Sequence, residues 1–220
     1  MRLDFVNQMY WDDEETTGRY DYPLSVTAGD LITKQGYEIA EGEPSGCIGQ
    51  IGVFVLDLSP DSHIGPFKHA LDFLIPEGTE VLAGASGLIV EVVEHNSEGG
   101  PSREFASLMN YITIEHSHAG HTEYSQYCHL GQGSTSSHGI VKGCRVVTGQ
   151  PIANTGMTGW TDRPHLHFIV FRKDTPPIKD DLVEAFRKVT PGHHYLPMTP
   201  RQVLESMAPT FKSLKVKFQK

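Results

Sequence analysis

Cysteine is scarce in this chain. Cys47, Cys128 and Cys144 are the only three among 220 residues. They are too few and too scattered for a disulfide framework or a paired-cysteine zinc site. No run of 18 apolar residues occurs, so no transmembrane helix is expected. No secretory leader is expected within the first 25 residues, because Asp12-Asp13-Glu14-Glu15 stands where an apolar stretch would be required; the localisation stays open on this ground. Basic residues are also missing there. Residues 1–62 hold 12 acids and 3 bases, whereas residues 63–220 hold 15 of each. An acidic front argues against nucleic acid or an anionic membrane as the main partner.

Other residue types are plentiful. Hydrophobic residues make up 38% and charged residues 20%. That composition excludes a disordered polypeptide, and the length suffices for a core without metal or disulfide staples. The 22 glycines and 14 prolines predict many tight turns and a mainly β fold. Twelve histidines are the unusual count.

Patterning divides the sequence into three. Residues 1–47 show no sustained period and read as an acidic N-terminal extension, with a short strand expected at 24–26. Residues 48–173 read as the main domain. The β-branched run at 48–58 predicts one strand. Further short strands are expected at 70–75, 80–83, 87–94, 111–115, 123–130, 145–147, 151–155 and 165–171, separated by Gly, Pro, Asn and Ser clusters. The excursion at 96–110 contains a helical turn expected at 102–109 behind a serine cap. Residues 174–220 form a C-terminal extension. Ile178, Leu182, Ala185, Phe186 and Val189 follow helical spacing. Thr199-Pro200-Arg201-Gln202 has the form of a capping box with proline at the first helical position. Leu214, Val216 and Phe218 alternate with lysines as in a last strand.

The chemistry concentrates in Pro164-His165-Leu166-His167-Phe168. In a strand, residues i and i+2 share a face, here about 7 Å apart at Cα. Asp72 interrupts the apolar run Ala70-Leu71-Asp72-Phe73-Leu74, and a carboxylate there is costly unless paired or metal-bound. His129 ends the run Tyr127-Cys128-His129. Histidines and a carboxylate with one position left to water are the donor set of a catalytic zinc. Other motifs fail: no His-Glu-x-x-His helix, no glutamate spaced for a cupin site after His167, and no Gly-x-Ser-x-Gly elbow. Alternation within 127–129 points the Cys128 thiol away from His129, so it reads as a core residue. His116, His118 and His121 surround an expected hairpin turn.

Taken together, these pieces resemble the lysostaphin- and LytM-type zinc endopeptidase domain, the M23 peptidases that cut peptide cross-links in peptidoglycan. The resemblance covers residues 60–172. Its pieces are Ala70-Leu71-Asp72-Phe73 with Pro76-Glu77-Gly78-Thr79, then Asn110-Tyr111-Ile112-Thr113-Ile114 before His116, then Tyr127-Cys128-His129-Leu130. Last comes Thr155-Gly156-x-Thr158-Gly159 followed by the His165–His167 pair. It implies a compact antiparallel β sandwich of the LytM type, a bound zinc ion, and a peptidoglycan or other small peptide as substrate. Asp72 and His167 become zinc ligands by this resemblance, and His129 and His165 the two catalytic histidines that are not ligands.

One position departs from the pattern. The family's usual first ligand lies four residues before the aspartate, where this sequence has Lys68. Some members have the form His-x-Gly-Pro-Phe-Lys-x-Ala-x-Asp-Phe, which assigns the ligand to His63. His69, re-aimed by a bulge, and a metal-free site are the open alternatives. The expected function is therefore zinc-dependent endopeptidase activity, with a catalytically inactive regulatory or binding domain on the same fold as the competing reading. The acidic front, placed directly before His63, is expected to cover or narrow the cleft.

Overall fold

The computed structural model describes residues 13–24, 48–51, 54–57, 59, 62–174, 178–189 and 199–219. Among them are thirteen strands: β1 (Ile48–Ile51), β2 (Phe54–Asp57), β3 (Leu71–Leu74), β4 (Glu80–Leu82), β5 (Gly87–Val93), β6 (Gly99–Gly100), β7 (Tyr111–His118), β8 (His121–Cys128), β9 (Arg145–Val146), β10 (Pro151–Asn154), β11 (Gly159–Trp160), β12 (His165–Arg172) and β13 (Lys212–Ser213). Three helices accompany them: α1 (Ser134–Ser137), α2 (Asp180–Val189) and α3 (Pro200–Met207). No helix among the described residues is long and apolar enough to cross a membrane.

The fold is mainly β, as the turn-rich composition implies. The large sheet runs β1-β2-β3-β12-β8-β7-β5-β9, and β13 adds to β12. Every pairing in it is antiparallel. Two small sheets complete it, β4 with β10 antiparallel and β6 with β11 parallel. The expected single strand at 48–58 is two strands, with Ile51 paired to Phe54. A β-branched run cannot by itself tell one strand from two that pair with each other.

Alternation in β12 organises the molecule. Leu166, Phe168 and Val170 are fully buried and meet Phe73, Tyr127, Ile112, Ile114, Ile152 and Val81 in the main core. His165, His167, Ile169 and Phe171 therefore take the opposite face. Cross-strand partners share a face, so the pairing of His167 with both Asp72 on β3 and Cys128 on β8 puts all three of them there. This corrects the direction expected for Cys128. Its thiol lies on the His167 face, 1% exposed, and burial followed by the Asp72 charge pushes its pKa up. It has the surroundings of an inert thiol, though not on the side expected.

Residues 13–20 and 215–218 are tied to each other and to the sheet. Glu15 bridges to Lys215 and Tyr20 to Phe218, both parallel. Buried Glu123 on β8 accepts from Thr17 N–H (2.6 Å), Gly18 N–H (3.3 Å), Tyr20 Oη–H (3.1 Å) and Arg172 Nη2 (2.9 Å). Burial opposes its charge, but these donors outweigh burial and hold its carboxyl below the ordinary range. The expected strand at 24–26 reduces to a bridge from Leu24 to Val81, with residues 25–26 outside those described. The last strand is β13, shorter and earlier than the alternation suggested. Helices α2 and α3 build a separate small core from Ile178, Leu182, Val183, Phe186 and Leu204. The capping box of α3 is present, with Thr199 Oγ1 accepting from Gln202 N–H and Gln202 Oε1 accepting from Thr199 N–H. The helical turn expected at 102–109 is a 3-10 turn over Arg103–Leu108, and the Ser102 hydroxyl makes no capping bond.

Candidate metal centre

Three elements converge at one end of the open sheet face. Strand β3 supplies Asp72, β12 supplies His165 and His167, and the loop before the 3-10 turn Gly65–Phe67 supplies His63. Candidate ligand atoms of His63, Asp72 and His167 lie within 4.8 Å of one another. His167 Nδ1 is 2.7 Å from Asp72 Oδ1, and His63 Nε2 is 3.1 Å from Asp72 Oδ2. Asp72 is 5% exposed. Burial alone would raise its pKa, but His167, His63 and His165 together outweigh burial and hold it well below the carboxylate range.

The donor chemistry fits a metal ion. His63 Nε2 is buried and has no hydrogen-bond partner, although a carboxylate oxygen lies 3.1 Å away. A buried ring nitrogen left without a hydrogen-bond partner is costly, and a cation between it and the carboxylate removes the cost. Two imidazoles and one carboxylate are a donor set suited to zinc with a position left open. His69 and Lys68 do not join this group. His69 Nε2 lies 3.1 Å and Lys68 Nζ 2.7 Å from Asp13 Oδ1, at the surface. Lys68 first, and then Lys215 at 3.2 Å, hold the Asp13 carboxyl below its ordinary range.

His129 follows β8 in the left-handed region, at φ 61°. A non-glycine residue held there costs energy that surrounding contacts must offset. Its backbone carbonyl accepts from Gly156 N–H (2.7 Å), and its Nδ1 lies 2.7 Å from the Thr158 carbonyl. A carbonyl only accepts, so Nδ1 carries the proton and Nε2 is left with a lone pair. His165 is fixed in the same sense, with Nδ1 3.0 Å from the Arg163 carbonyl. Its Nε2 lies 3.8 Å from Asp72 Oδ1. The rings of His129 and His165 are 4.5 Å apart between centroids, and those of His129 and His167 6.1 Å. Burial, then repulsion by His165 and His167, pushes the His129 pKa down to about 3, so it is neutral near pH 7.

All five residues singled out in the sequence therefore lie in one cluster. Three supporting groups were missed. Thr158 supplies the carbonyl that fixes His129, while its Oγ1 donates to Leu130 O (2.9 Å) and accepts from Asn110 N–H (3.0 Å). Fully buried Asn110 donates to Leu130 O and Asn96 O and accepts from Asn96 N–H. Ser59 donates to Asp72 Oδ2 at 2.7 Å. Asn110 and Thr158 stand in the motif pieces without a role being legible there, and a backbone carbonyl such as that of Thr158 carries no sequence signal; Ser59 lies outside those pieces. A half-exposed apolar rim flanks His63, formed by Ile64 and Phe67, the latter edge-on to His167 at 6.4 Å.

Comparison with known proteins follows the same residues. The profile described as Peptidase family M23 matches residues 66–179, about half of the chain. That span includes Asp72, His129, His165 and His167 and begins just after His63. The peptidoglycan DD-endopeptidase ShyA of Vibrio cholerae is 32% identical over 105 residues, 48% of this chain and 20% of the relative. The glycyl-glycine endopeptidase ALE-1 of Staphylococcus capitis is 32% identical over 117 residues, 53% of this chain and 26% of the relative. The chain thus spans only about a fifth to a quarter of the length of these relatives. Among solved structures, a zinc containing peptidase from Vibrio cholerae aligns at 24% identity with a TM-score of 0.40, covering 70% of this chain and 36% of that one.

Proposed function

This chain belongs to peptidase family M23, and from that premise we propose that it is a zinc-dependent endopeptidase acting on stem or cross-bridge peptides of peptidoglycan. The observation that carries the reading is the His63–Asp72–His167 group, with Asp72 buried and His63 Nε2 unpartnered. These three residues would hold the zinc, which supplies Lewis acidity for amide hydrolysis when bound. The substrate class comes from relatives named as peptidoglycan and glycyl-glycine endopeptidases.

His129 and His165 are the acid–base pair in this reading. Each has Nδ1–H tied to a backbone carbonyl, so in each it is Nε2 that exchanges a proton with the reactants. The histidine that takes the proton of the attacking water becomes a donor. It can then deliver that proton to the leaving amine nitrogen or stabilise the oxyanion. The fixed tautomers mean that no ring has to turn between the two roles. The competing view is an inactive domain marked by Lys68; His63 Nε2 standing 3.1 Å from Asp72 Oδ2 supports the active reading over it.

The test is zinc stoichiometry of the wild type beside His63→Ala, followed by mass analysis of peptidoglycan peptides incubated with each. One zinc per polypeptide, lost in the variant together with peptide cleavage, is the expected result. A wild type that takes up no zinc after incubation with it overturns the reading.

A further inference from the structure

His63 lies nine residues from Asp72, and a loop must deliver it to the same point at every folding event. We infer that Ser59 is the positioning residue that fixes both His63 and Asp72, and so allows this protein to build a metal group without a histidine at position 68. The inference rests on reading His63, Asp72 and His167 as the metal ligands.

Ser59 acts through both its backbone and its hydroxyl. Its carbonyl accepts from Ser62 N–H at 2.9 Å and from His63 N–H at 2.8 Å. The Ser62 hydroxyl donates to the same carbonyl at 3.2 Å. The backbone of His63 is thereby closed onto Ser59. The Ser59 hydroxyl donates to Asp72 Oδ2 at 2.7 Å, the oxygen that faces His63 Nε2 at 3.1 Å. One residue therefore sets the position of one ligand's backbone and the rotation of its partner's carboxylate.

Two further features fit a residue held for a purpose. Ser59 has φ 40°, in the left-handed region that a non-glycine residue rarely adopts. That conformation is sustained by its own N–H, which donates to Asp57 Oδ1 at 2.9 Å. Asp57 in turn lies directly across from Asp72 in the β2–β3 register, and its other oxygen is 3.7 Å from Arg163 Nη1. Arg163 also supplies the carbonyl that fixes His165. Ser59 thus belongs to a series of contacts running from the displaced ligand to the neighbouring strand and the His165 turn. Such outer contacts orient ligands and commonly carry 10–100-fold in metal affinity.

The experiment compares Ser59→Ala and Ser59→Gly with the wild type, His63→Ala and Lys68→Ala. Zinc affinity is read by competition with a chromophoric chelator, and ligand geometry by the absorption spectrum of the cobalt-loaded protein. The unfolding midpoint in excess chelator reports the fold alone. Ser59→Ala should bind zinc roughly 10–100-fold more weakly, shift the cobalt spectrum and leave the chelated midpoint nearly unchanged. Ser59→Gly relieves the backbone strain and so keeps the fold, yet it lacks the hydroxyl and should show the same loss. Lys68→Ala should bind as the wild type does. Wild-type affinity and spectrum in both Ser59 variants, with binding abolished in His63→Ala, would overturn the role of Ser59 alone. A wild type that binds no zinc, or His63→Ala binding as well as the wild type, would overturn the metal reading and this inference with it.

Discussion

Acid should weaken this fold through His116, and the size of the effect follows from its surroundings. His116 lies on the core face of β7, 1% exposed. Its Nδ1 donates to the Ser86 carbonyl (2.9 Å), and its Nε2 accepts from the Ser125 hydroxyl (2.8 Å). His118 stacks on it and Tyr20 meets it edge-on. Burial is the main cause that lowers its pKa from 6.5 to about 4; repulsion by His118 adds to this, while the Ser86 bond and the charges of Glu123 and Glu115 oppose it. The native state therefore stays neutral at a pH where the unfolded polypeptide already binds a proton. Stability is complete above the unfolded value of 6.5 and is lost as pH falls toward 4. At 1.36 kcal/mol per pKa unit the contribution is about 3 kcal/mol in all, with about 2 kcal/mol gone by pH 5.

His116→Asn isolates that contribution. Asparagine retains a donor for Ser86 but cannot titrate. The variant should be less stable than the wild type at pH 7 by about 1–2 kcal/mol, for the lost Ser125 bond. The gap should narrow by about 2 kcal/mol at pH 5, because the linkage acts on the wild type alone. Urea unfolding of both proteins at matched pH and fixed zinc measures it, and the other titrating groups cancel in the comparison. Two stability profiles that run parallel within about 0.5 kcal/mol from pH 7 to pH 5 would refute the reasoning.

Other perturbations probe the remaining parts. Glu123→Gln leaves Arg172 with Glu14 at 2.8 Å but removes the charge that receives four donors, so urea unfolding should show a loss of about 3 kcal/mol. The same carboxylate has a lowered pKa, so its contribution is held above the unfolded value near 4.5 and is lost below it. Phe168→Ala, at a fully buried position of β12, should cost about 3–5 kcal/mol in the same assay. His129→Ala and His165→Ala should each lower peptide cleavage by at least about 100-fold, while zinc stoichiometry by elemental analysis stays at the wild-type level.

Much of the site was legible in the sequence because periodicity carries it. His165 and His167 two apart in a strand share a face, and an aspartate inside the apolar run at 70–75 needs a partner. Those two facts, with His129 at the end of another strand, already suggested a metal cluster. The capping box at Thr199 and the helical spacing at 178–189 were equally local and correspond to α3 and α2. The strand count at 48–58 was not legible, since a hairpin within it depends on pairing and not on alternation. The side taken by Cys128 was likewise settled by its cross-strand register with His167.

What the sequence by itself determined is the set of chemical groups and the faces on which local repeats place them. Which histidine comes to stand beside Asp72 is a question about a loop, and spacing left His63 and His69 both open. Only the tertiary structure brings His63 beside Asp72 and turns His69 to Asp13. The same holds for the protonated nitrogens of His129 and His165, which are set by the Thr158 and Arg163 carbonyls. Any residue can offer a carbonyl, so its place at a site exists only once the polypeptide has folded.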